Sequence, residues 1–138
     1  MPQIEEIAQA VVEPQTLPVS TPAQKVAFSF VVPVMNEELN IRPLFEKLTG
    51  RLATLQQTYE VIFVDDGSTD KTFAVLAKLH EEHPGLVRVI RFRRNFGKTP
   101  ALVAGFSRCR GDIVFTMDGD LQDDPDEIPN FLAKLEEG

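Results

Sequence analysis

An α/β fold, a mainly parallel sheet with flanking helices, is what the sequence predicts, and three observations predict it. Four short runs rich in apolar and β-branched residues alternate with helix-length segments that carry an apolar stripe. The runs are nearly continuous in apolar residues, as in strands buried on both faces, where a strand with one wet face would alternate. Unusual polar residues collect directly after each run, at the edge where open parallel sheets hold ligands.

The first strand is "FSFVVPV", Phe28–Val34. The segment "NIRPLFEKLTGRLATL" then places Ile41, Leu44, Phe45, Leu48, Leu52 and Leu55 on one helical face, with Asn40 as cap. Pro43 is tolerable there because first-turn amides have no helical partner. "YEVIFV" (Tyr59–Val64) is the second strand and "DKTFAVLAKLHEEH" (Asp70–His83) the second helix, with Ser68 or Asp70 to cap it. His80 and His83 fall on that helix's polar end. "VRVIRF" (Val87–Phe92) is the third strand. "TPALVAGFSRC" opens the third helix, with Thr99 as N-cap and Pro100 in the first helical position. "DIVFTM" (Asp112–Met117) is the fourth strand, and Ile128, Phe131, Leu132 and Leu135 mark a fourth helix capped by Asp124 or Asp126.

With 138 residues, 43% of them hydrophobic and 25% charged, the chain has enough apolar mass for one domain and is too apolar for general disorder. Residues 1–25 are the exception: no aromatic residue, and prolines at Pro2, Pro14, Pro18 and Pro22, which together predict a disordered tail with at most a helical turn near Ile4–Val12. The globular domain is expected over 26–138. A net charge of −7 argues against nucleic acid as a partner. The single cysteine, Cys109, excludes an internal disulfide framework and reads as a small core hydrophobe. No run reaches the ~18 apolar residues of a membrane span, and the N-terminus has neither the basic nor the apolar region of a signal peptide, so a cytoplasmic chain is expected.

Pro33, Met35, Asn36 and Glu37 follow the first strand; Asp65, Asp66, Gly67 and Ser68 the second; Arg91, Arg93, Arg94 and Lys98 the third; Asp118, Asp120 and Gln122 the fourth. One basic loop facing aspartate clusters suggests an anion and a cation held together, such as a nucleoside diphosphate with a divalent metal. Each piece also has a plain reading. "VDDGSTD" is a good turn and helix start, Arg93 and Arg94 suit a solvated loop, and only Lys98 sits at a helix N-terminus that favours anions. "FTMDGDLQDDPDE" is more pointed, with six acidic side chains in thirteen residues. In extended chain Asp118 and Asp120 project to one side, and Gly119 lets a ligand approach the backbone. Two converging carboxylates repel unless a cation lies between them, and a donor set of oxygen alone points to Mg²⁺ or Mn²⁺. Asp123, Asp124, Asp126 and Glu127 instead suit a helix start, where negative charge is favoured.

Taken in order and spacing, "VVPVMNEE", "VDDGSTDKT", "RNFGK" and "MDGDLQDDP" resemble family 2 glycosyltransferases of the Rossmann-like GT-A fold, in particular the polyprenyl-phosphate branch that includes dolichol-phosphate mannosyltransferase-like enzymes. The resemblance covers Phe28 to Gly138. It implies that Pro33, Met35 and Glu37 lie along the nucleoside, with Glu37 on ribose hydroxyls, and that Val64 and Asp66 contact the base. It implies donor-phosphate contacts from Arg94 and Lys98. Asp118-Gly119-Asp120 corresponds to the D-x-D motif, with Asp120 the main metal ligand and Gln122 a second; Asp118 and Asp120 are the residues expected to carry catalysis. The partners implied are a nucleotide-diphosphate sugar, UDP- or GDP-linked, and a polyprenyl (dolichyl or undecaprenyl) phosphate. That acceptor attacks with an oxygen already ionised, so no general base is needed, and inversion at the anomeric carbon is the family expectation. The family continues past the fourth helix with acceptor-binding basic residues and membrane-associated helices, so the chain is expected to be a C-terminally truncated donor half. A parent protein at the cytoplasmic face of a membrane and a tendency to self-associate are expected with it.

Two other readings compete. A haloacid-dehalogenase-type phosphatase also has D-x-D after an apolar strand, but wants it on the first strand, whereas here the pair follows the fourth. A nucleotide-binding module without turnover would share every donor-site feature and differ only in showing binding and no transfer.

Overall fold

The computed structural model of the chain describes residues 25–54 and 56–117. Within them the elements run β1 (Phe28–Val34), α1 (Ile41–Leu52), β2 (Tyr59–Asp65), α2 (Thr72–Glu82), β3 (Val87–Arg91), α3 (Lys98–Ser107) and β4 (Ile113–Thr116). The expected tail, the expected fourth helix and the acidic stretch from Asp118 lie outside the described residues.

The four strands form one sheet in the order β3-β2-β1-β4, every neighbouring pair parallel. Two central strands flanked by later ones follow from strand–helix–strand crossovers that place the helices on both faces. Strand side chains alternate, so β1 sends Phe28, Phe30, Val32 and Val34 to one face and Ser29, Val31 and Pro33 to the other. On the first face those residues join Val61, Phe63, Val87 and Val89 and are covered by Ile41, Leu44, Phe45 and Leu48 of α1 and Leu76 and Leu79 of α2. On the second, Val31, Ile62, Val64, Ile90 and Phe92 meet Ala101 and Ala104 of α3. The result is three layers, helix–sheet–helix, with the sheet as the shared core.

α3 lies unusually close to the sheet. A Cβ on Gly105 would stand 2.4 Å from Val31 Cγ1. Alanine there gains ~1 kcal/mol of helix propensity, but overpacking a branched core side chain costs about 1–3 kcal/mol. Gly105→Ala should therefore be less stable than the parent in urea unfolding with an unchanged m-value; a stabilised variant would show that α3 has room to move.

Several expectations need correction. Thr99 is not the cap of α3, and Pro100 is not its first residue. Gly97, at φ 109, is the N-cap and Lys98 opens the helix. Pro100 is tolerated at the third position because the missing amide still falls in the first turn, where no carbonyl awaits it. Ala101 makes the first backbone bond, to Gly97 O at 3.2 Å. α2 starts at Thr72 rather than Asp70, with Lys71 in the N-cap position, and the Asp70 carboxylate braces the turn before it by accepting from the Thr72 amide at 2.9 Å and its hydroxyl at 2.5 Å. α1 stops at Leu52, before Leu55. β4 is not buried on both faces: at the edge of the sheet among the described residues, it leaves Ile113 and Val114 exposed. His80 is not on a polar end; it is buried, its ring Nδ1 2.7 Å from Val87 O, and so ties α2 to β3.

Candidate functional site

The carboxyl ends of β1, β2 and β3 release three loops side by side, residues 35–40, 66–71 and 92–97, and side chain–backbone hydrogen bonds fasten these loops to one another. Asn36 makes the first fastening. It adopts φ 54, a left-handed conformation that asparagine tolerates better than most side chains. From there its Oδ1 accepts the amides of Thr69 (2.8 Å) and Asp70 (3.3 Å), while its own amide donates to Ser68 Oγ at 2.8 Å. The Glu37 amide adds a bond to Thr72 Oγ1 at 2.9 Å.

Asp66 makes the second. It is 5% exposed, and its carboxylate accepts the Phe96 amide at 2.7 Å and the Gly97 amide at 3.0 Å, with Asn95 Nδ2 at 3.2 Å. Burial pushes the Asp66 carboxyl above its ordinary range, as does neighbouring Asp65, while the Phe96 and Gly97 amides pull the other way. Gly67 completes the contact, at φ 75: a Cβ there would lie 2.2 Å from the Arg94 carbonyl carbon and 2.4 Å from the Asn95 nitrogen. Burial also opposes ionisation at Asp70, but the Thr72 hydroxyl and amide outweigh it and hold that carboxyl low.

The residues singled out from sequence distribute as follows. Met35 is exposed, with its sulfur 3.5 Å from Asn95 Nδ2. Pro33 is half-buried at the end of β1, opposite Val64 in register. Glu37 is half-buried and its carboxylate accepts from Asn40 Nδ2 at 2.6 Å, so part of its capacity serves the loop itself. Val64 is wholly buried in the core beneath α3 and presents no surface in this structure, because β2 is a central strand with a helix over that face. Arg94 is exposed, its guanidinium 4.3 Å from the centre of the Phe96 ring; Arg91 lies 4.1 Å over Phe73. Lys98 is exposed as the first residue of α3. Asp118, Gly119, Asp120 and Gln122 lie outside the described residues. Met117, directly before them, is held to β1 by its amide, 3.0 Å from Val31 O. Among the described residues no group of three or more His, Cys, Asp or Glu side chains is placed to hold a metal, and no helix is long and apolar enough to cross a membrane.

Sequence reasoning missed Asn36 and Asn95 as fasteners, and it missed a charged cluster at the opposite, amino end of the sheet. There Glu60 is fully buried: it accepts from Ser29 Oγ (2.5 Å), Arg88 Nη1 (2.9 Å), the Arg110 amide (2.7 Å) and Arg110 Nε (3.0 Å). Arg88 reaches on to Arg108 O at 2.5 Å, and the Gly111 amide donates to Ser29 Oγ at 2.8 Å. The cluster pins the turn between α3 and β4 against the sheet. The available signal was position: Ser29, Glu60 and Arg88 are each the second residue of a strand whose next two residues are apolar.

Residues 29–138 match the family described as Glycosyl transferase family 2. A dodecaprenyl-phosphate galacturonate synthase of Rhizobium johnstonii is 43% identical over 116 residues, which is 83% of this chain and 34% of that protein. An undecaprenyl-phosphate 4-deoxy-4-formamido-L-arabinose transferase of Klebsiella pneumoniae is 39% identical over 85% of this chain and 35% of its own length. The chain thus spans about a third of the length of these curated relatives. Among solved structures, a mannosyltransferase from Pyrobaculum calidifontis in complex with GDP-Man and Mn²⁺ superposes with a TM-score of 0.62 at 22% identity, over 86% of this chain and 39% of that one; at that identity the likeness speaks for the fold.

Proposed function

This chain belongs to glycosyl transferase family 2, and from that premise we propose that it holds the donor site of an enzyme that transfers a sugar from a nucleotide-diphosphate sugar to a polyprenyl phosphate. The observation that carries the proposal is the fastened edge: the loops after β1, β2 and β3 are locked together at the carboxyl end of a parallel sheet, where such sheets take nucleotides. The polyprenyl-phosphate acceptor rests on the two relatives at 43% and 39% identity, a dodecaprenyl-phosphate galacturonate synthase and an undecaprenyl-phosphate sugar transferase.

The residues divide the work by chemistry. Met35 offers an exposed apolar surface to the nucleoside, and Glu37 has carboxylate capacity left for ribose hydroxyls. Arg94 and Lys98, exposed at the loop before α3 and in its first turn, attract the donor's phosphates. The stretch Asp118, Asp120 and Gln122 supplies only oxygen donors and so fits Mg²⁺ or Mn²⁺, with Asp120 the main ligand. Such an ion, when bound, offsets the charge that develops on the departing diphosphate. The acceptor's phosphate oxygen is already ionised, so none of this chain's residues need take a proton from it. A lipid acceptor puts the whole protein's reaction at a membrane surface, and the cytoplasmic face is the side we propose.

The test is calorimetric titration of the chain with UDP, GDP and ADP, with Mn²⁺ and then in chelator, followed by transfer of labelled sugar to undecaprenyl phosphate by the whole protein. Uracil N3 and guanine N1 both carry a ring N–H that acceptors at the end of β2 can meet, and adenine offers none. Uridine or guanosine diphosphate should therefore bind more tightly than the adenosine analogue, and only with metal. Preference for ADP, or equal binding in chelator, would overturn the assignment.

A further inference from the structure

We infer that Asn40 is a positioning residue for ribose recognition: its side-chain amide aims the Glu37 carboxylate and so sets how well the site tells a ribonucleotide from one without ribose hydroxyls. The inference rests on the donor-site reading above, which gives Glu37 to the ribose, and adds the residue that orients it.

Asn40 stands in the N-cap position of α1, where an asparagine side chain ordinarily accepts an amide from the second or third helical residue. It makes no such bond here. The sequence gives a reason: the third residue of the helix is Pro43, which has no amide to offer. The side chain turns back instead, and Nδ2 donates to Glu37 Oε2 at 2.6 Å. The backbone reinforces that direction, since the amides of Asn40 and Ile41 both donate to Glu37 O, at 2.9 and 3.2 Å. Glu37 is held from the other side as well. Its amide donates to Thr72 Oγ1 at 2.9 Å, and that hydroxyl, on a fully buried residue, donates in turn to Asp70 Oδ1. With the main chain fixed and Oε2 engaged by Asn40, Oε1 is the oxygen left to accept from a ligand hydroxyl. A carboxylate already held in place gives up less side-chain freedom on binding, which is the gain of preorganisation. Pro43 and Asn40 thus work as a pair: the proline removes part of the helix's claim on the asparagine, and the asparagine serves the site.

Titration with UDP and with 2′,3′-dideoxy-UDP, each with Mn²⁺, isolates the ribose hydroxyls, because the two ligands share base and diphosphate. The deciding variant is Asn40→Asp. Aspartate caps a helix as well as asparagine does, so a merely structural Asn40 would tolerate the change. It nevertheless sets a carboxylate where Glu37 needs a donor. The parent should favour UDP by about tenfold or more, as hydrogen bonds to a charged group provide. In Asn40→Asp and Asn40→Ala that preference should be largely lost while affinity for the dideoxy analogue stays at the parent's level, and Glu37→Ala should abolish the preference. Exchange of the Asn40 side-chain amide protons needs no ligand and should quicken in Glu37→Ala. An unchanged preference in Asn40→Asp would overturn the inference. Equal loss of both nucleotides in the Asn40 variants would overturn it too, since that marks damage to α1 or its loop. A parent that binds both nucleotides equally well refutes the ribose role of Glu37, and the inference with it. A parent that binds neither refutes the donor-site reading itself, and exchange at Asn40 still decides whether this side chain holds Glu37.

Discussion

Glu60→Ala is expected to remove about 3 kcal/mol from the stability of the fold, the low end of what breaking a buried ion pair costs. The low end applies because the two arginines left behind are partly exposed, Arg88 by 18% and Arg110 by 32% at the side chain, and so keep a route to water. Even so, a domain of this size has only ~5–15 kcal/mol in total, and the variant should unfold at markedly lower urea. Burial opposes ionisation of Glu60, but the Ser29 hydroxyl, the Arg110 amide and Arg88 outweigh it, so its carboxyl sits below the ordinary 4.5. A carboxyl held low in the folded state contributes stability that is present above 4.5 and lost as pH falls through the folded value. The gap between parent and Glu60→Gln should therefore be widest near neutrality and narrow in acid. Urea unfolding between neutrality and acid measures both effects, and an alanine variant as stable as the parent would show that the cluster contributes nothing net.

Asp120→Asn carries the other large effect, on ligand affinity. Altering merely the outer partners of a metal ligand costs about 10–100-fold, so if Asp120 is the main ligand, as proposed, removing its charge should cost roughly 100-fold in the metal-dependent part of nucleotide binding. The readout is UDP affinity with Mn²⁺ against UDP affinity in chelator: the ratio, large in the parent, should fall close to one while the folded signal by circular dichroism persists. An undiminished ratio would remove Asp120 from the metal site.

The strands were legible nearly to the residue because β2 and β1 are central and buried on both faces, which forces the continuous apolar runs "YEVIFV" and "FSFVVPV". The start of α3 was not. Thr-Pro is the usual local signal for a helix start, and it lost to Gly97, whose left-handed backbone and bonds to Asp66 come from a loop thirty-one residues away. Val64 shows a similar limit: a motif places it beside a site, while strand alternation turns its side chain into the core under α3. Asn36 is the most instructive. Its identity permits a left-handed turn, but its use as an acceptor for Thr69 and Asp70 is a tertiary fact that no spacing announces.

The fastening of the three loops bears on how this edge can be re-engineered. Each loop holds or is held by another through side chain–backbone bonds, with Asn36 joining the first to the second and Asp66 the second to the third. A single loop transplanted from a relative would arrive without its counterparts and break bonds in the two left behind. Grafts should thus be strongly non-additive: each alone damaging, all three together tolerated. For altering donor preference, the smallest exchangeable part is the whole set of three loops, from Met35 to Gly97, moved as one cassette.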